Sequence, residues 1–180
     1  MKLGLIILSA LIGASLIAVC CVMSSKNSAI SLEESVNAAK SAIDAHLMNR
    51  FNKLHELAVC VKKYDEHEST TLEKTISARG KSMSGQQAKE VIMQIVAVAE
   101  QYPDLKSQKN YQNLMTDISI TENQLAQMKK AYNEGVRDYR YHCRKFPTSI
   151  FLDITGYRVV EFDMYEADQS VKDTKPLELL

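Results

Sequence analysis

From Leu3 to Met23 the chain carries 21 consecutive residues without a charge, a proline or an aromatic ring, bracketed by Lys2 and Lys26. As a helix rising about 1.5 Å per residue, the run is about 31 Å long, enough to cross a hydrocarbon core of about 30 Å. A cleaved signal peptide shares the basic start, but its apolar core is about 7–15 residues long and leads into a small-residue cleavage site. Here the run is longer and no A-x-A pattern follows. A lipoprotein would be acylated at Cys20 or Cys21, yet Val19 and Cys20 occupy the positions where glycine or alanine is wanted. An uncleaved single-pass transmembrane anchor over residues 1–26 is the expectation, with the bilayer as partner through Leu3 to Met23. One lysine on each side leaves the orientation open.

Residues 27–180 hold 20 Lys+Arg against 22 Asp+Glu, a net charge of −2. That balance argues against nucleic acid as a partner, which would call for a basic stripe. The absence of tryptophan and the low glycine and proline counts suit helices better than strands.

From Leu32 the apolar residues recur near every 3.6 positions through Val36, Ala39, Ile43, Leu47, Leu54, Leu57, Val61, Leu72 and Ile76. This is an amphipathic stripe free of glycine and proline as far as Gly80. A single helix of that length, about 70 Å, is too long for a compact domain of this size. A break is therefore expected at the turn-prone Asn49-Arg50-Phe51-Asn52. Gly80 is placed as a helix C-cap and Ser84 as the next N-cap. The following helix stops at Tyr102-Pro103. A long final helix is expected from about Asp104, as its cap, to Pro147. Ser149–Thr155 then makes two short turns closed by Gly156, with Ile150 and Ile154 packing inward. Residues 161–180, with six acidic and two basic side chains, read as an acidic, disordered tail.

Chemistry-bearing motifs are sparse. His55-Glu56 begins an HExxH pattern, but Val59 stands where the second histidine belongs. His46, His55, His67 and His142 share no i,i+4 spacing and read as exposed helix-face residues, so no metal or other cofactor is expected. Cys60 and Cys143 lack CxxC partners and read as small core residues, with a disulfide between them left open for an oxidising compartment. Neither a phosphate loop nor a G-x-S-x-G elbow is present.

Arg50, Glu68 and Glu122 interrupt the apolar stripes, and Arg137, Arg140, Arg144 and Lys145 gather near a helix C-terminus, where cations complement the dipole. The first three are expected at a stripe edge or in cross-helix pairs, since a lone buried charge costs several kcal/mol. The second group is either a solvated cap or a contact for anionic lipid or an acidic partner.

Several segments resemble the LemA family of bacterial membrane proteins. Val36–Asp44 with Leu47 and Arg50, then Val61–Glu68, resembles its first half. Glu100–Lys106, Thr121-Glu122-Asn123, Tyr132-Asn133-Glu134 with Val136 and Tyr139, Phe146-Pro147 and Gly156-Tyr157 resemble, in order and spacing, its E-x-Y-P-x-L-K, T-E-N, Y-N-x-x-V-x-x-Y, F-P and G-F signatures. The likeness covers about residues 30–165. The chain departs from the pattern at Lys40, at His55-Glu56 and at Lys63, where the family carries a tryptophan, a Pro-Asn pair and a glycine.

The resemblance implies an all-α protein: one transmembrane helix, an up-and-down four-helix bundle over 27–160, and a short C-terminal helix and tail. It implies no enzymatic activity and no inherited catalytic residue. One branch of the family is associated with magnetosome membranes, which keeps a membrane-organising role in view. The expected function is a non-enzymatic adaptor or scaffold at the bacterial cell membrane, recruiting a membrane or envelope protein. A membrane-tethered ligand sensor, or a metal-dependent factor using Glu68 and Glu122 with a histidine, is the alternative.

Overall fold

A computed structural model describes residues 2–166. Every regular element among them is helical: α1 Lys2–Lys62, α2 Glu66–Arg79, α3 Gly85–Gln101, α4 Pro103–Ser107, α5 Lys109–Arg144 and α6 Thr148–Ile154. The chain divides into two compact units, one formed by Met1–Lys40 with Ala131–Met164 and the other centred on Ser41–Lys130.

Helix α1 passes through Asn49–Asn52 without a break, contrary to the expectation from composition. Asparagine costs a helix interior only about 0.7 kcal/mol or less, and tertiary burial of Arg50, Leu54 and Leu57 outweighs it. The interruption falls at Lys63–Asp65 instead. There Asp65, in an extended conformation, accepts a hydrogen bond from the Glu68 N–H at 2.9 Å and opens α2 as its N-cap. Gly80 ends α2 with φ +66° and ψ −175°, a backbone region essentially reserved for glycine. Ser84 then opens α3 through a capping box with Gln87, the two bonds measuring 2.9 and 3.2 Å. Both caps agree with the sequence reading.

The expected long last helix is split. Pro103 begins the short α4, whose first residue needs no donor, and the chain turns at Gln108 before α5 starts. Asp104 is thus inside α4 rather than a cap. In the second unit the core gathers Leu54, Leu57 and Val61 of α1, Leu72 and Ile76 of α2, Val91 and Ile95 of α3, Leu105 of α4 and Ile118 of α5.

In the first unit, Val36 of α1 is buried, as are Tyr132, Val136, Tyr139 and Cys143 of α5. Helix α6 contributes Leu152 and Thr148, whereas the expected Ile150 and Ile154 face outward, Ile154 being 70% exposed. The helix begins one residue earlier than the sequence suggested and its inward face is rotated. Its end is a Schellman motif: the Tyr157 N–H donates to the Leu152 carbonyl and the Gly156 N–H to Asp153, with Gly156 at φ +63°. The tail expected from residue 161 is packed at its start, because Phe162 is buried against the Tyr139 ring in an edge-on contact at 5.5 Å. Residues 167–180 of that expected tail lie outside the described residues.

Candidate functional site

Among the described residues the most deeply buried charge belongs to Arg50, only 1% exposed. It lies on the buried face of α1 that also carries Ile43, Leu54 and Leu57, and its side chain is all but removed from water. One Nη donates to both Glu122 carboxylate oxygens of α5, at 3.3 and 3.5 Å. The other Nη donates to the Met83 carbonyl in the α2–α3 loop, while Nε has no hydrogen-bond partner among the described residues. Arg50 therefore ties α1, α5 and that loop together. Lys53 repeats the link one turn on, 3.4 Å from Asp117. Arg50 and Glu122, expected either at a stripe edge or in cross-helix pairs with no partner assigned, lie within ion-pair distance of each other. Glu68 does not join them; its backbone N–H is held by Asp65 at the start of α2.

A second polar set closes the helix turns of this unit. The Asp65 carboxylate that caps α2 also accepts from the Tyr102 hydroxyl at 3.2 Å. Tyr102 lies 6.0 Å from the Tyr64 ring, and Tyr64 Oη accepts from Gln108 Nε2 at 2.8 Å. The Glu68 N–H, foremost, and the Tyr102 hydroxyl hold the Asp65 carboxyl below its ordinary range against the opposing effect of burial. The Tyr102 phenol is correspondingly pushed up, first by its bond to Asp65.

The first unit contains a tyrosine relay. The Tyr157 hydroxyl donates to Glu33 of α1 and lies 3.1 Å from the Tyr139 hydroxyl. Tyr139 Oη accepts the Val160 N–H at 3.0 Å, and the Tyr132 hydroxyl donates to the Asp163 carbonyl at 3.0 Å. The Schellman turn aims Tyr157 into this group. Burial, then the bond to Glu33, keeps the Tyr157 phenol well above its ordinary pKa, so it remains a donor. None of these links was predicted. The residues, though not their pairing, were marked in the sequence: Tyr64, Asp65, Tyr102, Tyr132, Tyr139 and Tyr157 all fall in the segments that carry the family resemblance.

The four basic residues at the end of α5 and just beyond it do not form one open patch. Arg137 is 69% exposed beside Asp138. Arg140 is half-buried and donates to the Phe162 carbonyl. Arg144 and Lys145 are exposed, the latter with Nζ 5.6 Å from the Tyr141 ring. Of the histidines only His67 is exposed; His46, His55 and His142 are half-buried, and His142 Nε2 lies 3.0 Å from the Ser25 carbonyl.

All four cysteines are free, and burial pushes the Cys60 and Cys143 thiols up, keeping them protonated. Among the described residues no three His, Cys, Asp or Glu side chains are grouped to hold a metal ion.

Fold and site together define an all-α class: a helix long and apolar enough to cross a membrane, its most apolar stretch wholly unburied, continues into helical units tied by internal arginine and tyrosine links. The chain belongs to the LemA family, whose pattern it matches over residues 39–177. It is also similar to the magnetosome proteins MamQ 1 and MamQ 2 of Paramagnetospirillum magneticum (strain ATCC 700264 / AMB-1), each 31% identical over 68 residues, 38% of this chain and 25% of theirs. MamQ of Magnetospirillum gryphiswaldense (strain DSM 6361 / JCM 21280 / NBRC 15271 / MSR-1) is 29% identical over the same length. The match thus spans about a quarter of the length of these curated relatives.

Proposed function

We propose that this chain is a non-enzymatic, membrane-anchored adaptor. Leu3 to Met23 holds it in the bacterial cell membrane, and the helical units beyond the anchor recruit a membrane or envelope protein. The observation that carries the reading is the way the polar side chains are used. Arg50, Glu122, Asp65, Tyr102, Tyr139 and Tyr157 are all engaged in joining one helix or turn to another. That is the arrangement of a fixed surface. The anchor supports it further, since confinement to a membrane raises the effective concentration of a recruiting surface toward other membrane components. The similarity to magnetosome proteins fits a role in organising membrane-bound assemblies.

Proximity labelling from the intact anchored protein, against a control bearing residues 1–26 alone, tests it. The expected result is a reproducible protein enriched over that control and lost when the Arg50–Glu122 link is broken. Equal labelling by the anchor alone would remove the adaptor reading.

A further inference from the structure

The turn between α5 and α6 lies in an unusual place. Phe146 of this turn and Phe151 of α6 line an open groove together with Leu16, Ile17, Cys20 and Cys21 of α1. Those four belong to the apolar run, which ends at Met23. From Leu16 to Met23 is about 10 Å of helix axis. If the run fills the hydrocarbon core, a segment that faces Leu16 across this groove is not above the membrane but within its outer boundary.

The side chains of the turn suit that depth. Phe146 is 80% exposed, and Ile150, on α6, is also exposed. The buried side of α6 is a different one, Thr148 and Leu152, so these apolar groups are not awaiting a place in the core. Arg144 and Lys145, both exposed, precede the aromatic residue directly. Long cationic side chains can lay their apolar stems along lipid while keeping the charge among phosphates. Apolar groups at the acyl boundary with cations at headgroup level make the pattern of an interfacial membrane contact.

We propose that the α5–α6 turn and the first turns of α6 form a second membrane contact, with Phe146 and Phe151 inserted beside the α1 helix and Arg144 and Lys145 bound to anionic phospholipid headgroups of the same leaflet. It rests on the reading of Leu3–Met23 as a bilayer span. Its consequence is that the first unit is held at two points, which fixes its rotation about the α1 axis as the span alone would not.

Because the chain contains no tryptophan, a single introduced one reports its own depth. The full chain carrying Phe146→Trp is placed in vesicles of phosphatidylcholine and phosphatidylglycerol whose acyl chains are brominated at either shallow or deep positions. Leu11→Trp, in the middle of the run, is the reference. Phe146 is mostly exposed, so its replacement leaves the core untouched, and an unchanged helical circular dichroism spectrum checks this. The expected result is a blue-shifted emission for Phe146→Trp, quenched most by shallow bromines, with Leu11→Trp quenched most by deep ones. A water-like emission from Phe146→Trp beside a deeply quenched Leu11→Trp would overturn the second contact and leave the span standing. An unquenched Leu11→Trp would overturn the span and the contact with it. The headgroup part is read by adding Arg144→Glu and Lys145→Glu to Phe146→Trp, which is expected to reduce shallow quenching in the anionic vesicles. Quenching unaffected by this charge reversal would remove headgroup binding from the proposal.

Discussion

Arg50 and Glu122, 72 residues apart in the chain, meet across α1 and α5 at 3.3 Å, with the arginine all but removed from water and the carboxylate about a quarter exposed. Removing one partner of a fully buried pair costs about 3–5 kcal/mol because the other charge is left uncompensated. Solvent at Glu122 and the Met83 carbonyl soften that here, so Glu122→Ala is expected to cost about 2 kcal/mol. Replacing both residues, Arg50→Met with Glu122→Leu, removes the stranded charge and is expected to cost less than Glu122→Ala alone. Thermal unfolding in one detergent of the parent, Arg50→Met, Glu122→Leu and the double variant forms the double-mutant cycle that measures the coupling, with Glu122→Ala compared beside them.

Asp65 makes stability depend on acid. Its carboxyl is held below the ordinary value in the folded chain, chiefly by the Glu68 N–H. The folded state therefore binds the proton less readily than the unfolded one. The stabilisation is complete above the unfolded pKa of about 3.9 and is lost as pH falls through the lowered folded value. Asp65→Ala, which loses both the α2 cap and the bond from Tyr102, is expected to lower the melting temperature at neutral pH. The gap between variant and parent should narrow toward strongly acidic pH. A melting-temperature profile against pH for the two proteins measures this.

The α2–α3 corner was legible in the sequence because its determinants are local: Gly80 for a positive φ and Ser84 with Gln87 for a capping box. The same chemistry marked the true break, since Asp65 and Glu68 have N-cap and N3 spacing. Glu68 was instead weighed as a charge in an apolar stripe, and turn-prone composition drew the break to Asn49–Asn52. There the decision is tertiary: Arg50 finds its partners 33 and 72 residues away, and no periodicity encodes that. The pairing of Tyr157 with Glu33 across 124 residues was illegible for the same reason.

Tyr157 is expected to govern the alkaline limit of the first unit. Burial and the bond to Glu33 raise its phenol in the folded state. The contribution is thus fully present below the unfolded pKa of about 10 and is lost as pH rises beyond it. Tyr157→Phe keeps the ring and deletes the hydroxyl, leaving Glu33 and Tyr139 without that partner. A loss of about 1 kcal/mol follows from one hydrogen bond to a charged group in a partly exposed site. It should also flatten the alkaline decline of the melting temperature. Ultraviolet titration of the parent is expected to show Tyr157 ionising only together with unfolding, and an early, reversible titration of all eight tyrosines would contradict it.

The rotated face of α6 separates two leucine-sized residues two positions apart. Leu152 is 1% exposed in the first unit, whereas Ile154 is largely open. Truncating a buried leucine removes its transfer free energy and leaves a cavity, typically at a cost of about 2–5 kcal/mol. Truncating an exposed residue stays within about 0.5 kcal/mol. Leu152→Ala is therefore expected to lower the melting temperature clearly in detergent, and Ile154→Ala to leave it nearly unchanged. The inverse result would restore the inward Ile150 and Ile154 face that periodicity suggested. The Schellman turn makes that inverse hard to realise. Tyr157 N–H reaches back to the Leu152 carbonyl, and turning Leu152 outward would swing Tyr157 away from Glu33. The burial of Leu152 and the tyrosine relay should accordingly fail together. Leu152→Ala combined with Tyr157→Phe is expected to cost less than the sum of the two single changes, because each loosens the turn that the other depends on.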